Sequence, residues 1–353
     1  MIILTVKGAG SFNAGPKAPS DIIEILTKKY NAESVLLVQG NGIIEKIKYR
    51  KKIFSTILKS KKKKEVLVLQ FPMYETTKIL NRLFLMALNF ANKDKTVVLI
   101  HDLDSIRGND EILKKQEFDR LSKIKYIIAH NEKMKEYLEE IGLNANIYTL
   151  DLFDYICDKK ENYTRKNNTI EPNSLKVAYA GNLIKVKSPY LYQLDKDKMN
   201  FYINLYGVGI ENNINERLIY NGKYPPNELP DKIEANLGLI WDGNFDDSDE
   251  NVGYKKYTKY NNPHKLSCYI AAGLPVIVWK KAAIADFVNK YNIGYTINKI
   301  YDINEIDLSD YNQKLANISK LQQEVRNGEF TIRVFDKVLK DMEENNKWVD
   351  MII

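Results

Sequence analysis

With 353 residues, of which 44% are hydrophobic, the chain is long enough to bury two cores, so two domains are expected. Its 53 lysines and arginines exceed its 46 acidic residues by 7, and this mild, scattered excess argues against a nucleic-acid-binding protein. The mild positive charge suits phosphorylated small molecules or an anionic membrane surface as partners. No apolar run approaches the ~18 residues that span a bilayer, and the two cysteines, Cys157 and Cys268, are predicted to be reduced, as in a cytoplasmic protein.

The first half of the chain alternates short apolar runs with longer amphipathic segments. This alternation predicts an α/β fold with a doubly wound parallel sheet, whose ligand crevice lies outside the carboxyl ends of the strands. The predicted strands are Ile2–Val6, Ser34–Val38, Glu65–Gln70, Thr96–Ile100, Tyr126–Ala129 and Asn146–Leu150. The predicted helices are Ser20–Tyr30 with Ser20 as cap, Lys46–Ser60, Tyr74–Asn92, Asp110–Ser122 and Asn131–Ile141.

The glycine-rich loop after the first predicted strand contains Gly10 and Ser11. Its glycine spacing departs from G-x-G-x-x-G, and the second strand ends without the acid that holds a ribose hydroxyl, so a nicotinamide cofactor is disfavoured. Two interpretations remain open. The loop either lets a substrate approach the backbone or is an ordinary glycine turn.

Aromatic and ionisable residues follow two further strands of the first half. Phe71 and Tyr74 could stack on a sugar ring or be packing residues. His101 and Asp102 stand where a general base could take a proton from an attacking hydroxyl, although His101 could equally be a structural histidine. Asp102 and Asp104 also form a D-x-D, a weak match to a metal-binding motif.

A charged, aperiodic segment divides the chain into two predicted domains. We expect a first Rossmann-like domain over 1–157, a linker over 158–173, a second Rossmann-like domain over 174–328 and a C-terminal helix, 329–353, that returns toward the first domain. The strands predicted in the second domain are Lys176–Ala180, Phe201–Tyr206, Leu218–Tyr220, Leu237–Trp241, Val276–Trp279 and Tyr295–Ile297.

Strand ends of the second domain carry groups suited to an anion. Gly181 and Asn182 follow an apolar strand, where a glycine lets the backbone approach a phosphate and Lys185 can meet its charge. Tyr206 could border a base or ribose, and Asp242 follows another strand. The segment 246–256 is interpreted as a mobile loop.

The segment 257–279 holds the strongest signal. Asn262 is predicted to cap a helix with Pro263 and His264 in its first turn, and a buried strand follows Gly273. Lys265 also lies in that first turn, where free N–H groups and the helix dipole favour an anion. A negative partner beside Lys265 is therefore expected, the alternative being a solvated lysine.

These motifs together resemble the donor domain of GT-B glycosyltransferases, with two Rossmann-like domains facing across a cleft. The resemblance is to the glucosyltransferases that extend O-glycans on serine-rich adhesins and to the β-1,6-galactofuranosyltransferases of surface polysaccharides. It implies a UDP-sugar donor, no cofactor and no metal, with Lys185 and Lys265 on the diphosphate and Gly181, Asn182 and Asp242 near the nucleotide or sugar. It further implies a glycan or lipid-linked glycan acceptor, bound on the acceptor-side first domain. We also expect a cytoplasmic homo-oligomer (dimer or tetramer), whose basic charge would allow contact with the inner face of the membrane.

The sequence departs from many retaining GT-B enzymes at one place. Tyr260 and Cys268 stand where those enzymes carry two glutamates. Inversion with His101 or Asp102 as base is therefore the better hypothesis. A catalytically silent sugar- or nucleotide-binding subunit of a glycosylation complex is the alternative.

Overall fold

The computed structural model describes residues 1–6, 15–38, 42–72, 78–157, 170, 174–212 and 214–352. The chain divides into two compact units. The first comprises the N-terminal strand, Ala18–Asp151 and Phe330–Ile353, and the second comprises chiefly Leu152–Glu329. The expected linker, 158–173, lies outside the described residues apart from Ile170.

The first unit is built on six parallel strands in the order β2-β1-β3-β4-β5-β6. Most of their residues are apolar and buried, as expected for a parallel sheet that is covered on both faces. The strands are β1 (Ile2–Val6), β2 (Glu33–Leu37), β3 (Leu67–Phe71), β4 (Thr96–Ile100), β5 (Tyr126–Ala129) and β6 (Asn146–Thr149).

Six helices connect these strands, and a seventh comes from the far end of the chain. They are α1 (Lys17–Tyr30), α2 (Ile43–Lys63), α3 (Lys78–Leu88), α4 (Asp104–Gly108), α5 (Glu111–Leu121), α6 (Glu132–Glu140) and α12 (Glu329–Ile352). Helix α12 is fixed to this unit by polar contacts: the Tyr30 hydroxyl donates to Asp336 at 2.8 Å and the Tyr148 hydroxyl to Asp341 at 2.6 Å.

The second unit repeats the plan with six parallel strands in the order β12-β11-β10-β7-β8-β9. Its strands are β7 (Lys176–Asn182), β8 (Tyr202–Val208), β9 (Leu218–Tyr220), β10 (Leu237–Ile240), β11 (Val276–Trp279) and β12 (Gly294–Ile297). Its helices are α7 (Leu229–Lys232), α8 (Gly253–Tyr257), α9 (His264–Ala271), α10 (Ile284–Tyr291) and α11 (Tyr311–Asn327).

The predicted α/β architecture is confirmed, and each predicted strand is present with its ends shifted by two residues or fewer. Ser20 does not cap the first helix, because α1 begins earlier, at Lys17. Asn131 does cap α6, and its side chain accepts from the N–H of Met134 at 3.0 Å. No helix within the described ranges is long and apolar enough to cross a membrane.

Candidate functional site

The start of α9 places a lysine against the end of β7. An alanine Cβ at Gly181 would lie 3.0 Å from Lys265 Cε, so the lysine stem passes directly over this glycine. Lys265 Nζ lies 3.3 Å from a carboxylate oxygen of Asp242, just beyond β10, and 4.9 Å from the ring centre of Tyr179. Three elements thus bring Gly181, Asp242 and Lys265 together at the carboxyl end of the sheet.

The neighbours of Lys265 favour its protonated form. Burial favours the neutral amine, but the combined effects of the Asp242 carboxylate and the Tyr179 hydroxyl outweigh burial and raise the pKa of Lys265 above its ordinary value. An ammonium has three donors, so the contact with Asp242 leaves capacity for further acceptors. The backbone N–H groups of His264 and Lys265 donate to no acceptor among the described residues. A cation and free helical N–H groups therefore meet at one point, which favours an anion.

Strands β7 and β8 come unusually close beside this point. Gly207 has a φ of +146°, and a Cβ there would lie 1.8 Å from the carbonyl oxygen of Gly181. Only glycine fits such a position. The Asn182 side chain accepts from the N–H of Ile184 at 3.0 Å, which turns the chain sharply after β7. Because Gly181 and Gly207 have no side chains, they leave the backbone at the end of β7 free of side-chain atoms of their own.

Tyr269 anchors α9 to the sheet beneath Lys265. Its hydroxyl accepts from the N–H of Ala180 at 2.8 Å and lies 3.1 Å from the carbonyl oxygen of Ala178 and 3.2 Å from that of Leu239. Its ring passes over Gly238, where an added Cβ would lie 2.4 Å from a ring carbon. Because residues four apart share a helix face, this anchor sets the position of Lys265 relative to β7 and β10.

A second lysine of this unit lies between two indole rings. Lys255 Nζ lies 3.4 Å from the ring centre of Trp241 and 4.5 Å from that of Trp279, and the residue is 1% exposed. The ammonium donates to no hydrogen-bond acceptor. Burial lowers the pKa of Lys255 to about 8, although the nearby carboxylates of Asp249 and Asp247 act in the opposite direction.

The segment between β10 and α8 is tied down by hydrogen bonds, which corrects the prediction of a mobile loop over 246–256. The Trp241 indole N–H donates to the carbonyl of Asn244 at 2.7 Å, and the Trp279 indole N–H donates to Asp247 at 2.8 Å. Lys281 pairs with Asp247 at 3.0 Å. An acidic turn is thereby fixed next to Asp242.

Comparison with known proteins identifies the family. Residues 1–152 match the N-terminal domain of glucosyltransferase 3-like proteins, and residues 177–338 match their C-terminal domain. The β-1,6-galactofuranosyltransferase WbbI of Escherichia coli is 31% identical over 339 residues, which make up 94% of this chain and 96% of that protein. The chain belongs to the glucosyltransferase 3-like family. It is therefore a glycosyltransferase, as the sequence predicted.

More distant relatives agree with this assignment. Glucosyltransferase 3 of Streptococcus parasanguinis is 22% identical over 288 residues, covering 76% of this chain and 77% of that protein. The structure of Anabaena Alr3699/HepE in complex with UDP superposes with a TM-score of 0.56 at 12% identity, covering 98% of this chain and all of that chain. The likeness in structure shows that this glucosyltransferase 3-like chain has the predicted GT-B fold.

Three predicted donor-side residues have side chains that are engaged or buried within the protein. Tyr206 is 2% exposed, and its hydroxyl accepts from the N–H of Glu234 at 2.8 Å, so it supports the sheet. The His264 ring stacks on Tyr155 at 4.8 Å, and burial lowers its pKa to about 4, so it is a neutral packing group. Asn262 is buried and does not cap α9, because the residue at the N-cap is Pro263.

Lys185 is not joined to the Lys265–Asp242 pair. Its side chain is exposed, and its backbone N–H donates to Glu211 at 2.9 Å. No contact within the described part of the chain links its ammonium to Asp242 or Lys265. A role for Lys185 on a phosphate stays a prediction.

The candidate residues of the first unit divide into three groups. His101 and Asp102 follow β4 and are half-buried. Phe71 is 3% exposed within β3, so the packing interpretation is correct and sugar stacking is not. Gly10, Ser11 and Tyr74 lie outside the described residues.

Arg107 contacts both carboxylates of the predicted D-x-D. It lies 3.6 Å from Asp102 and also pairs with Asp104. Across the ranges that the structure describes, no cluster of three or more His, Cys, Asp or Glu side chains could hold a metal ion. The arrangement gives the D-x-D a cationic partner within the protein.

Two residues that shape the site did not stand out in the sequence. Tyr269 reads as one apolar position of a short helix, and Gly238 as one residue of an apolar strand. The available signal was the combination of a glycine inside a buried strand, which indicates close approach of another group, with an aromatic residue four positions after Lys265.

Proposed function

We propose that this glycosyltransferase moves a hexose from a UDP-sugar to a glycan acceptor, and that the second unit binds the UDP-sugar. The observation that carries the proposal is the placement of Lys265. Its ammonium lies over Gly181, where the backbone is bare, and beside the unpartnered N–H groups that begin α9. This is the chemistry that binds a diphosphate.

The same arrangement suits the chemical step. Transfer breaks the bond between the sugar C1 and the diphosphate oxygen, and negative charge develops on the departing UDP. A fixed ammonium at that position stabilises the charge as it forms. Asp242 keeps Lys265 protonated and in place throughout, so we propose that departure of UDP proceeds without a metal ion.

Named relatives support the donor assignment. The related Anabaena structure of the same fold holds UDP, and WbbI transfers galactofuranose. Because WbbI is 31% identical and the streptococcal glucosyltransferase 3 is 22% identical, we propose UDP-galactofuranose as the first donor to test and UDP-glucose as the second. A hydrolysis assay with these two and UDP-galactose decides between them.

We propose that the first unit supplies the base, His101, for an inverting reaction. The Gln70 amide nitrogen donates to the carbonyl of Pro19 at 3.2 Å, which leaves its oxygen facing His101 Nε2 at 2.6 Å. Nε2 therefore carries the proton, and Nδ1 is the basic nitrogen of the neutral ring. Because Asp102 is engaged by Arg107, His101 ranks first. Replacing His101 by Ala should keep UDP affinity and abolish transfer.

The decisive experiment measures UDP binding by calorimetry in wild type and in Lys265→Ala. We expect affinity to fall at least tenfold, because a charge-assisted hydrogen bond contributes about 1.5–3 kcal/mol. Lys290→Ala is a matched control, since Lys290 also lies over an aromatic ring, that of Tyr291, at 5.4 Å. Equal UDP affinity in Lys265→Ala and wild type would contradict the proposal.

A further inference from the structure

Helix α2 of the first unit has two separate apolar faces. Tyr49, Ile53 and Ile57 are 6% exposed or less and pack into the unit. A second row occupies positions 44, 47, 51, 54, 58 and 62, whose spacing of three and four residues places them along one side of the helix. All six are exposed. We call this row the outer face of α2.

The outer face is apolar at four of its six positions. Ile44 is 67% exposed, Ile47 58%, and Phe54 and Leu58 are each 40% exposed. Scattered exposed apolar residues need no explanation, but a contiguous row marks an interaction surface. Helix packing within the first unit is already satisfied by the buried face, so the outer face is available to something else.

Neighbouring elements extend the apolar surface. The Phe54 ring contacts the ring of Phe90, just beyond α3, edge to face at 5.4 Å, and Phe90 is 47% exposed. Lys52 Nζ donates to the carbonyl of Leu36 at 2.9 Å, and Leu36 in the edge strand β2 is 44% exposed. The contact with Phe90 therefore extends the exposed apolar surface beyond α2.

Positive charge surrounds the outer face. Helix α2 carries nine lysines and arginines and one acid, Glu45. Lys51 and Lys62 lie within the row itself, while the other cations flank it. Lys46, Lys48, Lys51, Lys61 and Lys62 form no ion pair with any described residue. The charges are thus not neutralised within the protein.

We propose that the outer face of α2 docks on an anionic lipid surface, with Ile44, Ile47, Phe54 and Leu58 inserted at the level of the headgroups and the lysines on lipid phosphates. An amphipathic helix lying in the interface binds through buried apolar area together with attraction to anionic lipid. Both components are present here on one side of one helix. The docking surface is independent of the donor site in the second unit.

Charge also argues against a second copy of the chain as the occupant. A two-fold contact brings each surface against itself, so two outer faces would oppose their unpaired lysines with only Glu45 of each helix as compensation. Like charges at an interface are strongly unfavourable. An anionic membrane satisfies both the apolar row and its cations.

Co-sedimentation of the intact protein with lipid vesicles tests the proposal. We expect binding to vesicles that contain phosphatidylglycerol, little binding to pure phosphatidylcholine, and weakening by salt as screening increases. The double variant Lys51→Gln/Lys62→Gln should bind roughly thirtyfold more weakly, because each removed cation accounts for about a fivefold loss. Ile44→Ser/Ile47→Ser should reduce binding by about tenfold or more.

Ile112→Ser is the matched control, because Ile112 is an equally exposed isoleucine at 65% on a different helix, α5. It should bind vesicles like wild type, and all variants should keep wild-type melting temperatures and UDP affinity. Absence of binding by wild type, or equal binding by Ile44→Ser/Ile47→Ser and wild type, would overturn the proposal. Loss of a dimer in that double variant without vesicle binding would instead assign the face to a second copy.

Discussion

Lys255 and Lys265 belong to the same unit, but their pKa values are shifted in opposite directions. Lys265 is paired with a carboxylate, so its protonated form is favoured despite burial. The Lys255 ammonium lies against the faces of Trp241 and Trp279 without a hydrogen-bond acceptor among the described residues, and burial outweighs the attraction of Asp249 and Asp247, so its pKa falls to about 8. A directly paired carboxylate, and not burial alone, therefore decides the direction in which the pKa of a lysine is shifted.

Titration of Lys255 should be visible in tryptophan fluorescence. The ammonium lies 3.4 Å from the Trp241 ring centre, so its deprotonation should shift the emission with a midpoint near pH 8. Lys255→Met should abolish this transition. Lys259→Met, which removes an ammonium 5.8 Å from Trp279, should retain it. An unchanged transition in Lys255→Met would show that another group is responsible.

The lowered pKa of Lys255 also makes the free energy of unfolding depend on pH. Between about pH 8 and the unfolded lysine value of about 10.4, the unfolded chain binds more protons at Lys255 than the folded chain does. The contribution of this group to the free energy of unfolding therefore rises with pH across that window. Lys255→Met should remove this part of the rise.

Residue-scale prediction from sequence is most direct where a single element carries the signal. Lys265 was identified from its place at a helix start, which depends on local sequence alone. The pairing of Lys265 with Asp242 depends on the packing of α9 against β10, which local sequence does not specify. The sequence did not show that the side chains of Tyr206 and His264 make contacts within the protein, because the direction of a side chain depends on tertiary packing.

At the scale of elements, one hydroxyl group contributes hydrogen bonds that attach α9 to the sheet. Tyr269 provides hydrogen bonds to β7 and β10 from within a buried site. Gly238 provides the space for its ring. The helix that carries Lys265 is therefore positioned by a polar contact in addition to apolar packing.

Tyr269→Phe should lower the free energy of unfolding by about 1–3 kcal/mol, because the buried N–H of Ala180 loses its acceptor. Denaturant unfolding measures the change. Tyr295→Phe is the control, since the hydroxyl of Tyr295 donates to the exposed Asp310 at 3.0 Å. We expect that variant to lose under about 1 kcal/mol. Equal effects of the two substitutions would contradict the anchoring role of Tyr269.

Element order was largely predictable because parallel strands are buried on both faces and read as continuous apolar runs. The boundaries of the helices and loops were less predictable. Helix α1 begins before Ser20 because Lys17, Ala18 and Pro19 form its first turn, where proline is well tolerated. The acidic turn before α8 has no local pattern that predicts order, so it was predicted to be mobile. Its order comes from contacts with Trp279 and Lys281, which lie far along the chain.

At the scale of the whole molecule, the first unit is assembled from both ends of the chain. Helix α12 follows α11 directly through Gly328, whose φ is +83°. It contributes the buried side chains of Phe335 and Val338 and the acceptors of Tyr30 and Tyr148. The second unit is an insertion between two parts of the first.

Removal of residues 330–353 should therefore destabilise the first unit and spare the second. Loss of the buried side chains of α12 corresponds to roughly 5 kcal/mol or more, so calorimetry should show an early melting transition that full-length protein lacks. UDP binding should persist. The control is Asp336→Asn/Asp341→Asn, which alters only the polar contacts. An unchanged melting profile of the truncated protein would refute the prediction.

This arrangement has a consequence for biosynthesis. As the ribosome releases the chain, β1 to β6 emerge first, but α12 emerges only after Leu152–Glu329 has been made. At cellular elongation rates that delay is on the order of ten to thirty seconds. The second unit is therefore the first to be complete. Until then the nascent N-terminal sheet exposes the apolar surface that α12 later covers, and this interval is when a chaperone would be needed.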